Sequence, residues 1–382
     1  MAQGPTCVTA PRPWSRERCS CRRSSCASIL VDDAIALGYG PNNPAASRDA
    51  SGVVVPVVGA IRNYCKVTLS RRGDLLSFPV DPAIPALKAF EAQGVVSVLA
   101  AAGVSEASGV ELLQHHPGRR CVFAVWAKGR RVVVKVFSAS EDPGSQARLY
   151  ELLEARGLAS GRPPTVPAPA GYAPGHLLIA NEWLAGPSGS DLIDQGRANL
   201  AAQLAATWLR ASAGIRADFL PVCDLGQLLA DAERHARALA GADAALGAEA
   251  GRCLDALRRR SPRGGTHTLR HGSYYGRHVL DVGGGPGVLD WDKACQGPIE
   301  LDAGDWLAWL ERHARRTQPP ERVKEAAAIF RHGIADLVED EALRWFRARS
   351  LLKQAEYFVR KMPSGWRDRA AALLAEAQNI DA

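Results

Sequence analysis

A glycine-rich stretch in the last third of the chain constrains the fold most strongly. Residues 278–282 (HVLDV) have the β-branched content of a strand, and residues 288–292 (VLDWD) predict a second strand. Between them, residues 283–287 (GGGPG) must turn, because glycine and proline interrupt regular structure. We therefore expect a hairpin that brings Asp290 beside the loop that opens with His271. An ordinary surface hairpin would show the same turn residues.

A second hairpin is predicted nearer the middle of the chain. Two strand-like runs, Cys121 to Ala127 and Arg131 to Phe137, flank the turn residues 128–130 (KGR). Lys135 lies near the end of the second run, among valines. An unpaired ammonium group is costly in a buried position, so a lysine there either faces solvent or has a partner. The order of the two hairpins along the chain favours a partner.

In this order the two hairpins resemble the aminoglycoside phosphotransferase and choline kinase-like family, which has a protein kinase-like fold. The family pattern is His-Gly-Asp, four residues and Asn, then a hairpin ending in Ile-Asp-Trp/Phe-Asp, and later Pro-x-x-Leu-Asp. The residues of this chain that match it are His271, Gly272, Asp290, Asp292, Pro298, Leu301 and Asp302. Ser273 stands where the family has its catalytic aspartate, and His278 where it has a metal-binding asparagine. The catalytic loop is therefore degenerate, although the resemblance extends over about residues 95–382.

The resemblance implies an α+β fold with two lobes. We expect residues 95–186 to form a small β-rich lobe (the N-lobe) that holds a nucleotide, and residues 187–382 to form a large helical lobe (the C-lobe) with the catalytic-like loop. Four aromatic residues of the late helices lie among Leu and Ala, which favours core packing over a ligand site. They are Trp345, Phe346, Tyr357 and Phe358.

The part of the chain before the N-lobe carries weaker signals. Residues 1–50 are rich in Pro, Ser, Arg and Gly without apolar periodicity, so we expect a disordered, dispensable extension. Four cysteines offer the alternative of a zinc site, although they lack the usual paired Cys-x-x-Cys spacing. These are Cys7, Cys19, Cys21 and Cys26. Residues 51–94 contain β-like pieces that we leave unassigned, and residues 85–104 have helical periodicity.

The resemblance also implies where a nucleotide would bind. Lys135 would reach the α- and β-phosphates, steadied by a carboxylate on the following helix. Glu151 is the candidate, although the family position falls on Gln146 and a solvated charge explains Glu151 equally well. The turn at residues 115–120 (HHPGRR) either meets phosphates or only closes a hairpin. Adenine would bond backbone groups of the hinge between the lobes, formed by Asn181, Glu182, Trp183 and Leu184.

The catalytic candidates surround the C-lobe hairpin. Asp290 would hold the Mg²⁺ that bridges the phosphates of ATP. His278 would take a second metal position through a neutral imidazole, although magnesium prefers oxygen ligands. His271, Ser273 and Asp292 complete the candidate catalytic set. Because serine has little basicity near neutral pH, proton removal would fall to His271 or Asp292.

These residues lead to two main hypotheses. In the first, the chain is an ATP-dependent phosphotransferase that acts on a hydroxyl of a small molecule or peptide through an altered catalytic loop. In the second, it is a pseudokinase, a nucleotide- or partner-binding module that transfers nothing. Lys135 and Asp290 favour retained nucleotide binding, whereas Ser273 and His278 favour lost chemistry. A third hypothesis, an unrelated α+β protein with chance matches, would lack two lobes around a cleft.

Composition argues against several other classes of protein. Of the 382 residues 47% are hydrophobic, which is enough for a large core. No run approaches the roughly 18 apolar residues of a membrane span, and no apolar secretory stretch opens the chain, so we expect a cytoplasmic protein. The net charge of +7 owes much to arginines among residues 1–50, and no basic face interleaved with aromatics predicts nucleic-acid binding. A protein partner stays open.

Overall fold

The computed structural model describes residues 79–262, 265–317 and 319–378. Before them it gives the backbone of three short strands, β1 (Ala46–Arg48), β2 (Val54–Pro56) and β3 (Lys66–Val67). The first two of these strands pair with each other. The extension predicted over residues 1–50 lies, apart from β1, outside the described residues, as does the alternative zinc site at its cysteines.

An antiparallel sheet builds the smaller lobe. Its main strands are β4 (Ala107–His116), β5 (Arg120–Ala127), β6 (Arg130–Phe137), β7 (Pro169–Ala173) and β8 (Leu178–Glu182). The strand order is β3-β4-β5-β6-β8-β7, with β3 as a two-residue edge. The hairpin predicted between β5 and β6 is confirmed. Lys128 and Gly129 have φ of 50° and 72°, the left-handed pair that a two-residue turn requires.

Three helices complete the N-lobe, namely α1 (Pro85–Gln93), α2 (Val95–Ala101) and α3 (Pro143–Ala155). The helical pattern predicted for residues 85–104 is realised as two helices, which Gly94 separates with a φ of 80°. Phe90 and Leu99 of these helices pack in one apolar core with Phe123 of the sheet. The core of the N-lobe therefore includes α1, which precedes residue 95.

Eight helices of the described chain build the larger lobe. They are α4 (Gly189–Asp194), α5 (Ala198–Ser212), α6 (Leu225–Ala242), α7 (Ala244–Arg259), α8 (Ile299–Thr317), α9 (Pro320–Ile334), α10 (Asp340–Lys361) and α11 (Trp366–Gln378). None of the helices in the described ranges has the length and apolarity needed to cross a membrane. The observed mixture of a sheet-rich small lobe and a helical large lobe confirms the expected fold class.

Two apolar cores hold the C-lobe helices together. One contains Trp208, Trp306 and Phe330, from α5, α8 and α9. The other contains Trp345 and Phe358 of α10 with residues of α6, α7 and α11. Core packing of the late aromatic residues is therefore confirmed. Trp345, Phe346 and Phe358 are each 1% exposed, and Tyr357 packs half-buried against the same core.

Side-chain caps fix the first turns of the two helices that border the junction of the lobes. The Asp142 carboxylate accepts the backbone N–H of Ser145 at the start of α3. Ser188 and Asp191 form a reciprocal capping box at the start of α4, just after the hinge segment. Each cap satisfies backbone N–H groups that a helix leaves unpaired at its first turn.

Four short strands carry the catalytic-like segment of the C-lobe. They are β9 (Thr268–Arg270), β10 (Val279–Asp281), β11 (Pro286–Val288) and β12 (Cys295–Gly297), and they pair as β9 with β12 and β10 with β11. The glycine-rich hairpin is thus confirmed. Its return strand ends at Val288 and not at Asp292 as predicted, because Asp290 adopts a φ of 69°, which turns the chain out of the sheet.

Candidate active site

A cluster of four charged side chains, here called the cleft cluster, joins the two lobes. The Lys135 ammonium, on β6, lies 2.7 Å from Asp290 Oδ1 and 2.5 Å from Asp292 Oδ1. The guanidinium of Arg120, at the start of β5, pairs with the other oxygen of Asp292. The positive charges therefore come from the N-lobe sheet, and the carboxylates come from the segment just after the C-lobe hairpin.

The charges of the cleft cluster stabilise one another against burial. Burial disfavours the charged Lys135, but Asp290 and Asp292 outweigh that effect and raise its pKa above the ordinary value. Burial also acts to raise the pKa of Asp290, yet the charge of Lys135 more than offsets it, and this pKa lies well below its usual range. Both groups are therefore charged at neutral pH.

The loop from His271 to Ser273 is held from beneath by Asp302 of α8. The two carboxylate oxygens of Asp302 accept the backbone N–H groups of His271, at 2.7 Å, and Gly272, at 2.9 Å. Gly272 has a φ of 74°, and a Cβ there would clash with the Lys293 carbonyl, so only glycine fits this turn. The loop that presents Ser273 is thus fixed by backbone bonds and does not depend on the identity of residue 273.

The Ser273 hydroxyl has a histidine as its partner. His271 Nε2 lies 3.0 Å from the Leu289 carbonyl, which can only accept, so Nε2 carries the proton and Nδ1 is the acceptor. Ser273 Oγ lies 3.3 Å from that Nδ1 and donates to it. The structure therefore brings His271 and Ser273 together in the catalytic-like loop, 17 residues before the metal candidate Asp290 in the sequence.

His278 lies between the loop and Asp290. Its Nδ1–H donates to the Ser273 carbonyl at 3.0 Å, and its Nε2 lies 3.4 Å from Asp290 Oδ2. Burial lowers the pKa of His278 well below its ordinary value, against the opposing charge of Asp290. The two predicted metal candidates are therefore neighbours, with a neutral imidazole facing an ionised carboxylate.

The predicted hinge residues lie at the end of β8, which contains Asn181 and Glu182, and in the segment just after it, which contains Trp183 and Leu184. The backbone N–H groups of Glu182 and Trp183 are already bonded to the carbonyls of Ala168 and Arg131. The side chains are also occupied: Glu182 accepts from Arg130 at 2.6 Å, and the Arg131 guanidinium lies 3.6 Å from the Trp183 ring centroid. Asn181 is buried within β8. In the described chain, the Leu184 N–H donates to no protein group, so it is the hinge donor available to a base.

The turn before β5 is tied to the N-lobe. The carboxylate of Asp81 accepts the Gly118 N–H at 2.7 Å and lies 2.9 Å from His115 Nε2. Arg119 pairs with Glu141 at 2.7 Å. The sequence left the role of this turn open between contacting phosphates and closing a hairpin, and Arg120 is the arginine of the turn that forms an ion pair with the cleft cluster.

One predicted site residue does not reach the cleft. Glu151 lies on the exposed face of α3, so the prediction that it pairs with Lys135 is corrected. Tyr150, one residue earlier, is buried and close enough to Lys135 to interact with its charge. Neighbouring residues on a helix point about 100° apart, which explains why one faces solvent and the other faces the cleft.

Three residues of this site were not assigned roles from sequence. Arg120 lies in the turn that was left open between two roles, and Asp302 belongs to the matched Pro-x-x-Leu-Asp pattern without an assigned contact. Tyr150 carries no sequence signal beyond its position on α3. For Asp302 a signal was present, because it closes the Pro-x-x-Leu-Asp pattern that the chain shares with the family.

Three solved structures show the same fold. A thermostable mutant of aminoglycoside phosphotransferase APH(4)-Ia, in complex with ADP and hygromycin B, is 19% identical and covers 75% of this chain and 97% of its own, with a TM-score of 0.52. Glucosamine kinase is 21% identical, covering 65% and 74%, with a TM-score of 0.51. Choline kinase LicA from Streptococcus pneumoniae is 11% identical, covering 77% and 99%, with a TM-score of 0.51. These likenesses show the protein kinase-like fold.

The sequence matches a protein family, although no curated protein matches it. The APH family, described as the phosphotransferase enzyme family, matches residues 115–346, which is more than half of the chain. The matched range begins in β4, ends in α10 and includes both halves of the cleft cluster. The chain therefore belongs to the phosphotransferase enzyme family.

Proposed function

We propose that this protein transfers a phosphoryl group from ATP to a hydroxyl of a small molecule or peptide, through a catalytic loop with an altered base. The observation that carries the proposal is the 2.7 Å contact between Lys135 and Asp290. Lys135 from one lobe would bind the nucleotide phosphates and Asp290 from the other would bind the metal, and phosphoryl transfer needs both groups around one nucleotide.

The residues of the cleft fit a metal–ATP complex in part. Asp290 offers an ionised carboxylate, the kind of ligand that Mg²⁺ takes alongside nucleotide phosphates. Within the described ranges, no group of three His, Cys, Asp or Glu side chains could hold an ion without the nucleotide. Bound metal–ATP would supply the transferable phosphoryl group and the cation that offsets its charge. Lys135 and Arg120 would bind phosphate oxygens, and the Leu184 N–H would bind the base.

The acceptor hydroxyl would meet the loop at Ser273. Ser273 cannot act as a strong base, so positioning and electrostatic stabilisation would supply most of the rate. His271 and Asp292 are the groups proposed to assist proton removal. His271 Nδ1 already accepts a hydrogen bond from the Ser273 hydroxyl, and Asp292 would be free to turn toward the acceptor only when Arg120 and Lys135 engage phosphates.

The alternative is a pseudokinase that binds nucleotide or a partner and transfers nothing. Two substitutions in the loop favour it. Ser273 stands where the family has its catalytic aspartate, and His278 stands where the family has a metal-binding asparagine. The two functions make opposite predictions for turnover.

The test is consumption of ATP against a panel of hydroxyl acceptors that includes hygromycin B, glucosamine and choline, the compounds named with the solved relatives. The proposal predicts acceptor-dependent turnover that is lost in Asp290→Asn. Installing a carboxylate by Ser273→Asp should raise turnover by the 10²- to 10⁴-fold, roughly, that a positioned base supplies.

Each outcome separates the two functions. Nucleotide binding without turnover on any acceptor, in the unmodified protein and in Ser273→Asp alike, would establish the pseudokinase. Ready turnover by the unmodified protein that falls in Ser273→Asp would contradict the view that the loop has a weakened base. In both comparisons the acceptor, the pH and the metal–ATP concentration must be the same.

A further inference from the structure

His278 and Asp290 direct two lone-pair donors at the same point of the cleft. The Nδ1–H of His278 is committed to the Ser273 carbonyl at 3.0 Å, so Nε2 is the ring nitrogen that can coordinate an ion. That nitrogen lies 3.4 Å from Asp290 Oδ2. Lys135 bonds the other oxygen of Asp290, Oδ1, and leaves Oδ2 to face the imidazole.

The separation of these two atoms suits two neighbouring ligands of one metal ion. Neighbouring ligands of an octahedral ion with bonds of about 2.1 Å lie about 3.0 Å apart, close to the observed 3.4 Å between the nitrogen and the oxygen. The backbone holds both donors in place. Asp290 has a φ of 69°, a conformation that costs energy outside glycine and persists where the surroundings require it.

We propose that the point between His278 Nε2 and Asp290 Oδ2 binds a divalent first-row transition ion, such as Mn²⁺ or Co²⁺, in preference to Mg²⁺. Imidazole nitrogen is a good ligand for these ions, whereas Mg²⁺ favours oxygen and sheds water reluctantly. The inference rests on the proposed function, because two protein donors alone make a weak site and the nucleotide phosphates must complete it.

Residue 278 determines this preference. The family pattern has asparagine at this position, which would offer an amide oxygen, and His278 replaces that oxygen with nitrogen. His278→Asn should therefore restore an all-oxygen set. His313→Asn is the matched control, because His313 is also buried, lies 3.0 Å from an aspartate oxygen, that of Asp194, and belongs to α8 outside the cleft cluster.

The first measurement starts from the unmodified protein. Electron paramagnetic resonance of Mn²⁺ bound to this protein with ADP should show coupling between the ion and an imidazole nitrogen. The coupling should vanish in His278→Asn and persist in His313→Asn.

The second measurement is calorimetric titration of Mn²⁺ and of Mg²⁺ in the presence of ADP. His278→Asn should bind Mn²⁺ roughly 10- to 100-fold more weakly than the unmodified protein, and it should bind Mg²⁺ equally well or more tightly. Because ADP contributes the same phosphates throughout, the comparison isolates residue 278.

The outcomes also separate this inference from the proposed function. The metal preference would be overturned if ADP bound with both Mg²⁺ and Mn²⁺ but Mn²⁺ showed no nitrogen coupling, and if His278→Asn had the same ratio of Mn²⁺ to Mg²⁺ affinity as the unmodified protein. The phosphotransferase proposal would then still stand. Failure of ADP to bind with any of these metals would overturn both. Circular dichroism of each variant, compared with the unmodified protein, would show that a lost signal does not come from unfolding.

Discussion

Two aspartates of this protein have buried side chains that are each held by cations, and they differ in where those cations come from. In the cleft cluster, Asp292 is paired with Lys135 and Arg120, which belong to the opposite lobe. In the C-lobe core, Asp305 of α8 is paired with Arg349 and Lys353, each at 3.5 Å, and bonded by Ser350, all on the facing side of α10. We call the second group the helix cluster.

The two clusters use similar ionic pairs but differ in what surrounds the pairs. In the helix cluster, the partners come from neighbouring turns of one helix, whose position is fixed by the apolar core around Phe346. In the cleft cluster, the two sides are separated by about 155 residues of sequence and belong to different lobes. A phosphate group can replace a carboxylate as the partner of Lys135 without disturbing a core, whereas no ligand is needed between α8 and α10.

The largest expected effect is on stability, and it should fall on the helix cluster. Asp305→Asn leaves the buried Arg349 without its counter-charge and should lower the free energy of unfolding by about 3–5 kcal/mol. Asp290→Asn should cost less, about 1.5–3 kcal/mol, because Lys135 keeps Asp292 at 2.5 Å. Urea unfolding of both variants measures the difference. An equal or larger loss in Asp290→Asn would mean that the cleft cluster is itself a structural element.

The next largest effect is the stabilisation of the protein by bound MgATP. This stabilisation should depend on the cleft cluster and not on the helix cluster. MgATP at a hundred times its dissociation constant should raise the free energy of unfolding of the unmodified protein by about 2.7 kcal/mol. Lys135→Ala should lose most of that gain at the same concentration, because it removes a phosphate-binding cation. The matched change in the helix cluster, Lys353→Ala, should retain it. Retention in Lys135→Ala would place the nucleotide elsewhere.

The smallest effect concerns pH and the turn that carries Arg120. Hydrogen bonds from His115 and from the Gly118 N–H hold the pKa of Asp81 below its ordinary value. A lowered carboxyl pKa means that this stabilisation is present above the ordinary value near 4, roughly, and is lost as the pH falls through the folded-state pKa. The NMR chemical shift of the Gly118 amide proton should therefore change over that acidic range in the unmodified protein, and it should stay constant in Asp81→Asn. A chemical shift that stays constant in the unmodified protein down to the pH of unfolding would contradict this role of Asp81.

Much of the fold could be predicted because it depends on local patterns. The Gly-rich turn and the Lys128–Gly129 turn each require left-handed backbone, which few residues adopt, so both hairpins could be located from sequence. The order of Lys135, the hinge and Asp290 then predicted two lobes. The strand boundaries were less predictable. The return strand ends before Asp290 because of that residue's own φ, which alternation of apolar residues does not encode.

The contacts within the site depend on geometry that the sequence does not display. Glu151 was chosen by charge, although a neighbouring position on α3 faces Lys135 and carries the uncharged Tyr150. Arg120 contacts Asp292 because β5, which begins at Arg120, pairs with β6, the strand that carries Lys135. The pairing of His271 with Ser273 depends on the Leu289 carbonyl, a backbone group that no residue pattern identifies.

The central claim is that the cleft cluster is a nucleotide site whose carboxylate holds the metal. Calorimetric titration of MgATP into the unmodified protein, Asp290→Asn and Asp305→Asn tests it most directly, at a temperature where all three are folded. We predict binding to the unmodified protein and to Asp305→Asn with similar affinity, and binding at least about tenfold weaker to Asp290→Asn, which loses the metal's charged ligand. Equal affinity in all three proteins, or no binding to the unmodified protein, would contradict the account.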